Sequence, residues 1–120
     1  MRYCLDTNAA IYFLAGRLSE PLPAGEWLIS VITELELRSY PFATRDDEQR
    51  VAEFLGQIPA IDLTPEIKTL AVALRREKQL KLPDAIVAAT AQATQAILVT
   101  NDGRLAQTSG VRSVAPSLKS

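Results

Sequence analysis

Tyr3-Cys-Leu-Asp-Thr-Asn-Ala-Ala-Ile-Tyr-Phe-Leu-Ala-Gly16 holds the first unit of the fold. Tyr3 to Leu5 is a short apolar run, Asp6-Thr-Asn8 is a polar turn, and Ala9 to Ala15 reads as a helix closed by a glycine stop at Gly16. The order strand, polar turn, helix recurs along the chain. Trp27 to Ile29 is a second candidate strand, followed by a helix from Ser30 to Tyr40 that Pro41 stops. Thr44 with Asp47 three residues on marks a helix start, and Val51, Phe54, Leu55 and Ile58 share one helical face. Ala60 to Leu63 is a short strand candidate, after which Thr64 caps a helix with Pro65 at its first position and a stripe of Ile67, Leu70, Ala71 and Leu74. Pro83 opens an alanine-rich helix whose small side chains permit close packing on a sheet. Ile97 to Val99 and Ser113 to Ala115 supply the last strands. Strands and helices that alternate in this way predict a parallel sheet covered by helices on both faces.

The chain has 120 residues, which fits one domain over residues 1–120 and buries roughly two thirds of the unfolded surface. Hydrophobic residues make up 48% and charged residues 22%, with 5 Gly and 7 Pro, the composition of an ordinary globular chain. Arg2 precedes the apolar run Ala9 to Ala15, yet Asp6 and Asn8 break it, so it is read as part of the folded protein and not as a leader. No stretch of about 18 apolar residues predicts a membrane span. The single cysteine, Cys4, cannot form an internal disulfide or a cysteine-rich zinc site, and the cytoplasm is the expected compartment.

The chain contains no histidine, which removes Ser-His-Asp and Cys-His catalysis, His-ligated zinc and the usual neutral-pH general base. With 13 basic against 14 acidic residues the net charge is -1, so a polyanionic substrate would need local help.

That help is suggested by the acids. In open parallel sheets the ligand crevice lies beyond the carboxyl ends of the strands. Asp6 follows the first strand, Glu34 and Glu36 lie in the helix after the second, Asp84 is in the first turn of its helix, and Asp102 follows the strand at Ile97 to Val99. Each has an ordinary explanation by itself, since aspartates favour helix N-termini, Asp-Gly makes turns, and helical glutamates face water. Together they would repel one another in a shared crevice unless a cation neutralised them. Carboxylates without His or Cys select a hard divalent ion, Mg²⁺ or Mn²⁺, and metal-activated water attacking a phosphodiester suits these parts. Glu34 and Glu36 project about 200° apart, so only one can face the crevice, and helical geometry does not choose between them.

Tyr3-Cys-Leu-Asp-Thr-Asn8, Ile29-Ser-Val-Ile-Thr-Glu-Leu-Glu-Leu37, Leu82-Pro-Asp-Ala-Ile86 and Leu98-Val-Thr-Asn-Asp102 together resemble the PIN-domain family, specifically the VapC-type toxins of toxin–antitoxin pairs. The resemblance spans nearly the whole chain. It implies a three-layer α/β/α sandwich with a central, mostly parallel sheet, and a Mg²⁺- or Mn²⁺-dependent endoribonuclease that arrests translation. A homodimer held inactive by a cognate antitoxin is also implied. By motif, Asp6, Glu36, Asp84 and Asp102 resemble the family's acids, the family's pattern selecting Glu36 over Glu34. Asp6 and Asp84 are expected as direct metal ligands, Glu36 and Asp102 as ligands through water or as groups that orient the nucleophile. Thr7 and Thr100 are candidate supporters of the acids, while Asn8 reads as a helix cap. Arg38-Ser-Tyr-Pro41 departs from the family, many of whose members carry a glycine soon after the Glu-Leu pair.

Other assignments fit less well. Arg75, Arg76, Lys78 and Lys81 could guide RNA phosphates, but cations at a helix C-terminus are explained by the dipole. Cys4 and Trp27 read as core, with Leu5, Ile29 and Val99 buried beside them. An aspartyl-phosphate phosphatase needs an aspartate where this chain has Asn8, and no G-x-G-x-x-G follows the first strand. The alternative from another class is a catalytically silent PIN-like scaffold that keeps its acids without turnover.

Overall fold

The computed structural model describes residues 1–108 and 110–120. Its elements are β1 (Arg2–Leu5), α1 (Thr7–Leu14), β2 (Glu26–Ser30), α2 (Val31–Ser39), α3 (Arg45–Gln57) and β3 (Ala60–Ile61). They continue with α4 (Pro65–Lys78), α5 (Leu82–Thr94), β4 (Ile97–Val99), α6 (Gly103–Ala106) and β5 (Ser113–Val114). The five strands form one sheet in the order β3-β2-β1-β4-β5. All four pairings are parallel, so every connection must cross over the sheet.

The register shows how two cores arise from one sheet. Cys4 lies beside Leu28 and Leu98, and Leu5 lies beside Ile29 and Val99. Because side chains alternate along a strand, the two rows face opposite ways. Cys4, Leu28 and Leu98 join Ile67, Ala71 and Leu74 of α4 and the alanines of α5 in one apolar cluster. Tyr3, Leu5, Ile29, Ile97 and Val99 join Ala9 and Ala10 of α1, Leu37 of α2, and Val51 and Phe54 of α3 in the other. Helices thus cover both faces, as the alternation of elements predicts.

Alanine makes this tight. From Ala85 to Ala91 every residue of α5 is buried, so the helix lies between the sheet and α4 with no polar face in that stretch. Helix ends follow the expected chemistry: Thr44 accepts from the Asp47 N–H, Thr64 accepts from the Ile67 N–H with Pro65 opening α4, and Gly16 takes a φ of 69° after α1.

Four local expectations are corrected. The strand expected to reach Leu63 ends at Ile61, because β3 pairs only with β2 and its last partner is Ser30. The strand expected to reach Ala115 ends at Val114, where its partner β4 ends at Val99. Trp27 is half-buried at the rim of its cluster, stacked on Tyr3 at 4.7 Å, with its indole N–H donated to the Pro23 carbonyl at 3.0 Å. The Asp102-Gly103 turn continues into α6, a single helical turn. Among the described residues no helix is long and apolar enough to cross a membrane.

Cys4 is fully buried, and burial, with the Asp6 charge nearby, pushes its thiol up to about 12. The thiolate is the reactive form. The folded protein is therefore expected to leave a disulfide reagent unreacted at pH 8 and to release one thiol equivalent only on denaturation. Rapid labelling of the native chain would contradict this packing.

Candidate active site

The order β3-β2-β1-β4-β5 places a topological switch point between β1 and β4, where the chain leaves neighbouring strands in opposite directions. Asp6 stands directly after β1. Its N–H donates to the Val99 carbonyl at 3.1 Å, which extends the β1–β4 pairing to the crevice. The residue is 5% exposed, and its carboxylate does two things. Oδ1 accepts from the Ala9 N–H at 2.8 Å, which makes Asp6 the N-cap of α1. Oδ2 accepts the hydroxyl of Thr100.

Thr100 is buried just beyond β4, anchored by its N–H to the Val114 carbonyl at 3.0 Å. Besides donating to Asp6, its hydroxyl oxygen accepts from the Asp102 N–H at 2.9 Å. Asp102 is exposed and caps α6 through Oδ1, which accepts from the Arg104 N–H at 2.8 Å. One threonine therefore links the acid after β1 to the acid after β4.

Glu36 enters from α2. Its Oε1 accepts from the Thr7 hydroxyl at 2.6 Å, and Thr7 Oγ1 also lies 3.1 Å from Thr33 Oγ1. Glu34 goes elsewhere, to Arg38 one turn on at 3.0 Å. Asp84 arrives from the first turn of α5. That helix leads into the start of β4, so its N-terminus sits at the opposite, carboxyl edge with the other acids.

The carboxylates are near enough to disturb one another. Burial is the main cause that raises the Asp6 pKa above its ordinary value, the Thr100 and Ala9 hydrogen bonds oppose it, and the charges of Asp102 and Asp84 add to it. Asp84 is also raised, by burial first and then by Asp102 and Glu36, with Lys81 opposing. Neither ion pair found among the described residues, Arg2–Glu26 or Arg38–Glu34, involves the four acids. The crevice is a negative site that the charge of Lys81 offsets only in part.

The structure thus brings Asp6, Glu36, Asp84 and Asp102 to one edge and sets Thr7 and Thr100 against two of them. Asn8, expected as a cap, is an exposed helical residue, because the Asp6 carboxylate has the three-residue reach to the Ala9 N–H. Thr33, fully buried, lies within the Ile29–Leu37 motif but is not among the supporting residues expected from the sequence. Its signal was available: it precedes Glu36 by three residues and so shares its helical face.

An α/β chain with a parallel sheet, helices on both faces and acids gathered at the switch point is the class that fold and site define. The PIN domain family model matches residues 3–111, and the chain belongs to that family. It is similar to a toxin–antitoxin complex chain from Klebsiella pneumoniae, at 32% identity and a TM-score of 0.74 over 98% of this chain and 99% of that one. It also matches VapBC2 from Rickettsia felis, solved bound to a DNA fragment from its promoter, with 19% identity and a TM-score of 0.77 over 96% and 98%. VapBC-5 from Mycobacterium tuberculosis follows at 20% identity and 0.71, over 98% of each chain. At 19% and 20% identity these two likenesses are of fold. No curated protein matches the sequence.

A raised carboxyl pKa means that the folded, metal-free state binds protons more readily than the unfolded chain. The stability due to Asp84 is then present below the ordinary aspartate pKa and lost as pH rises through the higher folded value. In EDTA, Asp84→Asn is expected to melt a few degrees above the parent at pH 7, and this gain should shrink towards pH 4. Thermal melts across pH check it; a variant that melts lower at pH 7 would refute the repulsion.

Proposed function

We propose that this chain is a metal-dependent endoribonuclease, the toxin of a toxin–antitoxin pair, which hydrolyses RNA phosphodiesters and so inhibits translation. The observation that carries the reading is the gathering of four carboxylates from four separate segments with no paired cation among them. Like charges held together in this way favour a bound cation.

The donor set fits Mg²⁺ or Mn²⁺, being oxygen only. Among the described residues no three His, Cys, Asp or Glu side chains are placed to hold an ion by themselves; Mg²⁺ commonly takes only one or two carboxylates and keeps several waters. Asp6 and Asp84 would hold the ion directly, and Glu36 and Asp102 would act through water or orient the nucleophile. When bound, the ion supplies an activated water and stabilises charge on the phosphoryl oxygens. Thr100 and the Ala9 N–H hold the Asp6 carboxylate in place for this. Glu36, held by Thr7, accepts a hydrogen bond from the incoming water. The water oxygen bonds to phosphorus as the bridging ester bond breaks, and a proton ends on the departing oxygen.

An antitoxin partner is inferred because the Klebsiella pneumoniae relative is part of a toxin–antitoxin complex. Homodimerisation and a cytoplasmic site of action follow from the family resemblance and the cysteine content.

The test is incubation of the antitoxin-free protein with a mixed RNA pool in Mg²⁺, Mn²⁺ or EDTA. Metal-dependent cleavage is expected, falling by on the order of 100-fold or more in Asp6→Asn, whose amide oxygen can still cap α1. A folded protein that binds neither metal and leaves every RNA intact would overturn the nuclease reading in favour of a silent scaffold.

A further inference from the structure

We propose that Thr33 is a positioning residue for Glu36 and acts through Thr7. The inference deepens the metal-nuclease reading and rests on it. It comes from counting protons. The Thr7 hydroxyl has one proton and two oxygen neighbours, Glu36 Oε1 at 2.6 Å and Thr33 Oγ1 at 3.1 Å. An ionised carboxylate can only accept, so the Thr7 proton goes to Glu36. The Thr7 oxygen is then left to accept from Thr33.

Thr33 has the complementary need. It is fully buried, and Thr7 is its only side-chain hydrogen-bond partner among the described residues. A buried hydroxyl without a partner is costly, so its proton is committed to Thr7. The chain therefore has one direction, Thr33 to Thr7 to Glu36. It leaves α2, crosses to the first residue of α1 and returns to α2 three residues further on.

This geometry constrains Glu36 in particular. Glu36 is exposed, with three rotatable bonds and water on one side, so packing does not hold its carboxylate. Thr7 follows Asp6 directly, so the bond fixes Glu36 relative to the acid at the end of β1. Thr33 keeps the Thr7 hydroxyl from turning away. A merely structural threonine would fill the same volume under α2 with no effect on the crevice.

Mn²⁺ binding to the RNA-free protein, followed by the electron spin resonance of the free ion, separates the two roles. Melting temperatures in EDTA are recorded for each variant. Thr33→Val, nearly isosteric, is expected to weaken Mn²⁺ binding about tenfold, and Thr33→Ser to restore it within about twofold. Thr7→Val should weaken it at least as much, and adding Thr33→Val to Thr7→Val should cost nothing further, as a single relay requires. If the valine variant does not fold, Thr33→Cys, with its weaker donor, is expected to show an intermediate loss. Mn²⁺ binding by Thr33→Val equal to the parent, or losses that add fully in the double variant, would overturn the relay while leaving the metal site standing. Binding unaffected by Asp6→Asn and Glu36→Gln would overturn the metal reading itself, and the relay with it.

Discussion

The Asp6 carboxylate is the point at which sheet, helix and crevice are fastened together. One oxygen starts α1 by accepting the Ala9 N–H, and the other takes the Thr100 hydroxyl from the far side of the β1–β4 pair. Thr100 in turn receives the Asp102 N–H, and Asp102 starts α6. Two helix starts and two central strands are thus joined through a few polar atoms at the switch point. A carboxylate on a residue this buried survives there only because both oxygens are bonded.

This fastening opposes the local electrostatics. Burial and the neighbouring carboxylates all disfavour a charged Asp6 and a charged Asp84; the Thr100 and Ala9 hydrogen bonds offset part of that for Asp6, and the Lys81 charge part of it for Asp84. The strain is borne by the two apolar clusters, whose rows from Cys4–Leu28–Leu98 and Leu5–Ile29–Val99 set the strands in register whatever the acids prefer. A chain folded for stability alone would replace Asp84 with a neutral residue. Keeping it is the local inconsistency expected of a functional site.

Much of this was readable in the sequence where the physics is local. Thr64-Pro65, Thr44 with Asp47, and Ile97 to Val99 carry their own signals of cap and strand, and each stands where the sequence places it. Asp6, Asp84 and Asp102 were legible because strand ends and first helical turns are visible in the pattern. What local reading misses is partnership across the chain. Thr100 meets Asp6 from 94 residues away, and Thr7 meets Glu36 from 29. The same limit misplaced the ends of β3 and β5, whose lengths are set by partners that stop at Ser30 and Val99. Asn8 failed for a different reason: two polar residues competed to cap α1, and only the tertiary position of Asp6 decides between them.

That the one glutamate of the four is the acid on α2 also has a geometric reason. Asp6 and Asp102 stand at strand ends and Asp84 in a first helical turn, all next to the crevice, where a short side chain suffices. Glu36 is five residues past Val31, the first residue of α2, or about 7.5 Å along the helix axis. Side chains on a helix lean towards its N-terminus, and the N-terminus of α2 is the end nearest the carboxyl edge of β2. A side chain one methylene longer than aspartate leans back across part of that distance, and Thr7 meets it there. Glu34 lies nearer the helix start but on the other side, and its reach takes it to Arg38. Azimuth, not length or acidity, distinguishes the two glutamates.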